Sequence, residues 1–181
     1  MTEPRSSTPI ANEPSTLQHA ADHGRSLTAL PWADVLEHLG RAEGFWVVTL
    51  DRTGAPCPRP VFAVVAEGAV HISSSPAAGK ARNLGSDSRC ALGAHTADFD
   101  LVLEGTGRRI TDAAGLEAVV TAYRQRYGWP VTVAGDAMDA PFGAPTAGPP
   151  PYAVFRIEPT RAYAIGITDE TNYLSTRYRF R

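Results

Sequence analysis

The run Ser73-Ser74-Ser75-Pro76-Ala77-Ala78-Gly79-Lys80-Ala81-Arg82-Asn83 carries the densest set of hydrogen-bond donors and cations in the chain. It falls where strand-like sequence gives way to a short helix that Pro76 can start. Hydroxyls, an ammonium and a guanidinium meet there with the unpaired N–H groups of a helix start, a combination suited to a phosphate. The same composition also makes an ordinary solvated helix cap. Lys80 and Arg82 serve one anion only if the turn or a neighbouring strand brings their long side chains together.

Other phosphate motifs are absent. Gly79-Lys80 lacks the upstream glycine and the following Ser or Thr of a Walker loop, and Gly105-Thr106-Gly107 lacks the third glycine of a dinucleotide fingerprint. Gly105 and Gly107 instead suit a barrel corner or a close backbone approach. His71 reads as a neutral strand histidine, and His95 with Cys90 has no third group to make a nucleophile. Asp98, Asp100 and Glu104 read as solvated carboxylates, and His19 with His23 has no further ligand for a metal. Trp129, Tyr152, Tyr163 and Tyr173 could wall a flat-ring cavity, although such aromatics more commonly anchor a core or an interface.

The elements that must position these groups follow from periodicity and turn residues. Pro31–Leu39 predicts a short helix with Trp32, Val35, Leu36 and Leu39 on one stripe, ended by Gly40. Phe45–Leu50, Arg59–Ala66 and Ala69–Ser74 predict three neighbouring antiparallel strands, divided by the Thr53-Gly54 turn and Gly68. A weak helix over Pro76–Gly85 is followed by strands at Arg89–Thr96 and Phe99–Ile110. The firmest helix runs from a cap at Thr111 or Asp112 to Tyr127, with Gly128 stopping it. Residues 129–151, rich in Gly, Pro and Ala, predict a long irregular loop that could cover a pocket. Tyr152–Ile157 and Arg161–Ile167 complete two strands around Pro159-Thr160.

Short connections between the first strands exclude a regular βαβ pattern, leaving a mainly β chain with flanking helices and six or more mostly antiparallel strands in a barrel. The 181 residues suit one domain at 29–181, after a flexible tail at 1–28 poor in apolar period. With 17 Lys plus Arg against 19 Asp plus Glu, the chain has no overall electrostatic design for nucleic acid or an anionic membrane. No apolar run approaches the roughly 20 residues of a membrane span, and the opening has no apolar core like a secretory signal. The expectation is a cytoplasmic protein. The cysteines Cys57 and Cys90 are too few for a disulfide scaffold.

From Leu30 to Ile167 the chain resembles the pyridoxamine 5'-phosphate oxidase-like split β-barrel superfamily, which includes F420- and FMN-dependent reductases. The likeness is carried by Trp46-Val47-Val48-Thr49-Leu50, by Gly54-Ala55-Pro56-Cys57-Pro58-Arg59-Pro60-Val61 and, most strongly, by Lys80-Ala81-Arg82-Asn83-Leu84 followed by Cys90-Ala91-Leu92. Phe99-Asp100 through Glu104-Gly105, and the helix ending Tyr127-Gly128-Trp129, extend it.

The resemblance implies an FMN-binding-like split barrel, a homodimer with cofactor clefts near the interface, and F420 or FMN as cofactor. It places Lys80, Arg82 and Asn83 on the phosphate side with Ser74 and Ser75 as companions, and Arg59, Pro60 and Val61 on a strand approaching the ring or its linker. The expected activity is reduction of a small conjugated organic acceptor, with hydride or electrons carried by the ring. The alternatives are a nonenzymatic flavin- or deazaflavin-binding protein and an oxidase of the pyridoxamine-phosphate type. The C-terminal Thr176–Arg181 supplies no pyridoxine-substrate motif.

Overall fold

The structure, a computed structural model, describes residues 9–14, 28–144, 148–167 and 173–181. The first strands are β1 (Ala11–Pro14), β2 (Thr28–Ala29), β3 (Gly44–Leu50), β4 (Pro56–Val61), β5 (Ala63–Ala66), β6 (Ala69–Ser74), β7 (Arg89–His95) and β8 (Phe99–Ile110). Then come β9 (Thr132–Ala134), β10 (Ala137–Asp139), β11 (Ala153–Gly166), β12 (Tyr173–Leu174) and β13 (Thr176–Arg179). The helices are α1 (Trp32–Arg41), α2 (Gly79–Ser86) and α3 (Ala113–Tyr127). One mostly antiparallel sheet runs β1-β13-β11-β8-β7-β3-β4, with β6 on β11 and β5 on β6, and curls into a split barrel.

The long strands β8 and β11 are its spine. They pair along most of their length, with an irregularity between Pro159 and Arg161. Pro159 has no N–H to give, and the break there divides the other edge of β11 between β6 and β13. The expected pair of strands around Pro159-Thr160 is therefore one bulged strand. At Gly105 the spine closes on itself: a Cβ there would sit 2.1 Å from the Glu158 carbonyl oxygen, so only glycine fits.

Alternation holds on β8, where Phe99, Leu101 and Leu103 point into the barrel with Val47, Leu92, Phe155 and Ile157. Helix α1 caps this core through Trp32, Val35 and Leu39; it begins after Pro31 and runs past Gly40. Helix α3 is capped as expected. Asp112 Oδ1 accepts from the Gly115 amide at 2.8 Å, and Gly128, at φ 61°, closes the last turn through its amide on Arg124 O. Its buried Leu116, Val119, Val120 and Tyr123 form a second apolar cluster with Ile110, Val154 and Met138.

Three expectations change. Arg59–Ala66 is not one strand: it breaks at Phe62, so that β4 pairs with β3 while β5 pairs with β6. The neighbours of β3 are β4 and β7, and the chain crosses from one end of the curled sheet to the other through Phe62. Residues 129–151 hold the β9–β10 hairpin, and Trp129, Val131 and Met138 from that stretch are buried in the second cluster. Within 1–28, Ala11–Pro14 pair antiparallel with Thr176–Arg179. The rest of that stretch, except residues 9, 10 and 28, lies outside the described residues, as does the His19–His23 pair.

Strand β4 is a sheet edge with proline at positions 56, 58 and 60. A proline facing β3 would break the ladder, so the ladder donors are Cys57, Arg59 and Val61, and the missing N–H groups fall on the open side. That edge is poorly suited to adding another strand.

Candidate functional site

The split at Phe62 opens a cavity of about 290 Å³ between β3 and β4 on one side and α3 and β6 on the other. Its wall is aromatic: Phe45, Trp46, Phe62, Tyr127, Trp129 and Tyr152 line it. The polar handles of the last three are engaged elsewhere. Tyr127 donates to Ala63 O at 2.8 Å, Tyr152 to Gly148 O at 2.7 Å, and Trp129 Nε1 to Phe142 O at 3.2 Å. These rings therefore offer faces and edges to the cavity rather than hydroxyls.

Lys80, in the first turn of α2, reaches the cavity and is half-buried. Burial, and then the charge of Arg59 on β4, lowers the Lys80 ammonium below the usual lysine range. Lys80 thus feels a second cation, and neither residue takes part in an ion pair among the described residues. The N-cap of α2, Ala78, supplies no side-chain bond to the N–H groups of the first turn. A Lys–Arg pair beside an uncapped helix start is an arrangement that an anion would relieve.

The structure distributes the sequence-derived candidates unevenly. Lys80, Pro60 and Val61 line the cavity. Arg59 is exposed next to them, its guanidinium donating to Pro58 O at 2.7 Å. Arg82, two residues on from Lys80, is exposed and donates to Ala77 O at 2.8 Å. Asn83 Nδ2 donates to the buried Thr49 hydroxyl at 3.0 Å, tying α2 to β3. Ser74 is buried, with its hydroxyl on Ser75 O at 3.3 Å, and neither Ser74 nor Ser75 lines the cavity.

Ser73 lines it instead, together with Glu43 and Phe62. Successive residues of β6 point to opposite faces, so Ser73 lies on the other face from Ser74, the one signal that could have found it. Glu43 and Phe62 gave none, since the first precedes a strand and the second stands inside an unbroken apolar run. Of the four aromatics weighed for a ring cavity, Trp129 and Tyr152 line it. Tyr163 does not, and the side chain of Tyr173 lies outside the described residues.

The remaining titratable groups have other uses. His71 is buried, its Nδ1 has no hydrogen-bond partner among the described residues, and burial pushes its imidazole down to about 4, which keeps it neutral. Asp100 pairs with His95 at 2.8 Å and Glu104 with Arg161 at 3.0 Å, so these carboxylates bind neighbours on the sheet surface. Burial pushes the Cys90 thiol up to about 12, so it is a poor nucleophile. Cys57 and Cys90 flank Thr49 on opposite sides, two strand spacings or roughly 10 Å apart, beyond disulfide reach. No group of three or more metal-ligating side chains occurs among the described residues, and no helix there is long and apolar enough to cross a membrane.

Comparison with solved structures finds this fold repeatedly. A conserved hypothetical protein, Rv2991, from Mycobacterium tuberculosis is 16% identical with a TM-score of 0.57, over 78% of this chain and 88% of that one. A putative pyridoxamine 5'-phosphate oxidase from Listeria innocua is 11% identical with a TM-score of 0.54, over 74% and 97%. A heme binding protein from Mycobacterium smegmatis is 18% identical with a TM-score of 0.53, over 77% and 55%. At these identities the likeness is one of fold. No curated protein matches the chain. The family model for pyridoxamine 5'-phosphate oxidase matches residues 32–166, which span strands β3 to β11, all three helices and the cavity, and the chain belongs to that family.

Proposed function

We propose that the chain binds a phosphorylated flavin or deazaflavin, FMN or F420, and uses it to reduce a small conjugated organic acceptor. The observation that carries this reading is one cavity whose lining combines an aromatic wall with Lys80 at the start of α2, a lysine that feels the charge of nearby Arg59 and has no ion-pair partner among the described residues. Such a cavity suits a ligand that is flat and apolar at one end and anionic at the other. Bound there, the ring would supply the hydride or electrons.

The chain's own groups supply grip, orientation and exclusion of water. Lys80, with Arg59 and the first-turn amides of α2, would hold the phosphate, and Arg82 would add a weaker field from the surface. Pro60 and Val61 would carry the ring edge on β4. Asn83, Ser74 and Ser75 support this end indirectly, by fixing α2 and the turn before it. Among the described residues the cavity wall includes no His, Cys or Met, and the hydroxyls of its two tyrosines donate to backbone carbonyls, which favours a flavin over a haem needing an axial ligand of one of these types. Trp46 and Pro60, exposed beside the cavity, support a homodimer that covers this mouth.

The test is a titration of the purified protein with FMN, F420 and riboflavin, followed by anaerobic mixing of the reduced complex with a panel of quinones and nitroaromatics. Saturable binding of FMN or F420, with reoxidation dependent on an acceptor, is the expected result. Binding without turnover would reassign the chain as a flavin carrier, and turnover with pyridoxamine phosphate would reassign it as an oxidase. Failure to bind either cofactor overturns the proposal.

A further inference from the structure

Phe62 is where the sheet splits, and its backbone is held from α3. Tyr123 and Tyr127 are one helical turn apart and take consecutive carbonyls: Tyr123 Oη donates to Phe62 O at 2.9 Å and Tyr127 Oη to Ala63 O at 2.8 Å. The Tyr127 hydroxyl also accepts from the Ala63 amide at 3.3 Å. Tyr123 is fully buried. Two phenols thus fasten the crossover between β4 and β5 to α3.

The side chain at that crossover is placed unusually. The Phe62 ring lies 4.9 Å from the Tyr127 ring at 57°, yet Phe62 stays 41% exposed at the cavity. An exposed phenylalanine would ordinarily gain by rotating into the neighbouring apolar cluster. Here the backbone on both sides of it is bonded, so the chain cannot shift to let the ring in, and the open face of the ring remains turned to the cavity.

We infer that Tyr123 and Tyr127 are positioning residues that hold Phe62 as the face against which the flat part of the bound ligand packs. This rests on the proposed flavin reading for the identity of the ligand, but the geometry asks only for a planar ring. An offset or tilted ring contact adds affinity beyond area burial, so Phe62 would set ring affinity and leave phosphate affinity alone.

The experiment compares wild type with Phe62→Ala, Phe62→Trp, Tyr127→Phe and Tyr123→Phe, using FMN, riboflavin and anilinonaphthalene sulfonate as probes. Amide hydrogen exchange at Ala63 reports the clamp without any ligand. Phe62→Ala is expected to weaken FMN and riboflavin by the same factor, about tenfold, with Phe62→Trp restoring most of it. Tyr127→Phe is expected to speed exchange at Ala63 and weaken both flavins about threefold. Tyr123→Phe should act in the same direction, and Tyr127→Phe alone decides the matter if it fails to fold.

Unchanged affinity in Phe62→Ala overturns the inference, as does faster Ala63 exchange in Tyr127→Phe with unchanged affinity. A Phe62→Ala effect confined to dimer dissociation overturns it too, reassigning the ring to an interface. If wild type takes the sulfonate but neither flavin, the flavin reading falls while the same variants still decide the inference on that probe. Binding of no planar probe overturns both.

Discussion

The two ends of the cavity are built on opposite principles. At the aromatic end the polar handles of Tyr127, Trp129 and Tyr152 are consumed by backbone carbonyls, which leaves rigid apolar faces. At the cationic end Lys80 is influenced by the charge of Arg59, neither takes part in an ion pair among the described residues, and the first turn of α2 has no side-chain cap. The first end has already met its hydrogen-bonding needs on folding, and its affinity for a ligand comes from shape. The second end is left unsatisfied, and its affinity comes from charge that folding has not neutralised.

The sharpest way to separate the two is Lys80→Ala. A charge-assisted bond to phosphate is worth about 1.5–3 kcal/mol, so FMN affinity should fall about 10- to 100-fold while riboflavin affinity stays within twofold. Equal losses for both would merge the two ends into one. The same lysine sets a pH dependence. Because its ammonium titrates below the ordinary 10.5, FMN affinity should start to fall at a lower alkaline pH than an ordinary lysine would give. Raising pH removes the charge that binds, and Lys80→Arg should flatten that limb. A titration from neutral to alkaline pH with no difference between wild type and Lys80→Arg would remove Lys80 from the phosphate site.

The aromatic end predicts a stability effect rather than a charge effect. Tyr152→Phe keeps the buried ring but leaves Gly148 O without its 2.7 Å donor. The expected cost is about 1–2 kcal/mol in denaturant unfolding, with little change in the relative affinity for FMN and riboflavin. A tenfold shift in that ratio would mean that the aromatic end also reads the phosphate.

This division explains what was legible in the sequence. The cationic end is local: Lys80, Arg82 and Asn83 lie within one turn or so of helix, and donor chemistry shows in a short window. The aromatic end is assembled from Phe62, Tyr127, Trp129 and Tyr152, brought together only by pairing. The break at Phe62 was hidden because Val61 to Ala66 contains no turn residue, and the choice of β3 or β6 as partner is made by distant strands. The 129–151 stretch misled for the opposite reason: Gly and Pro marked turns correctly, but Trp129, Val131 and Met138 between them were buried by α3. Where one residue decides alone, as at Asp112, Gly128 and Gly105, sequence and structure agree.

The smallest expected effect tests whether sequence proximity was mistaken for the site. Arg82 is next but one to Lys80, yet it is exposed and its guanidinium is on Ala77 O rather than at the cavity. Its remaining influence on a phosphate is through solvent, where salt screens it over about 8–10 Å. Arg82→Ala should weaken FMN about twofold at low ionic strength and not measurably at several hundred millimolar salt, whereas most of the Lys80→Ala loss should survive the salt. A salt-resistant tenfold loss in Arg82→Ala would instead mean that its bond to Ala77 O is exchanged for the ligand, and the cationic end would have to be redrawn with α2 contributing two side chains to one phosphate.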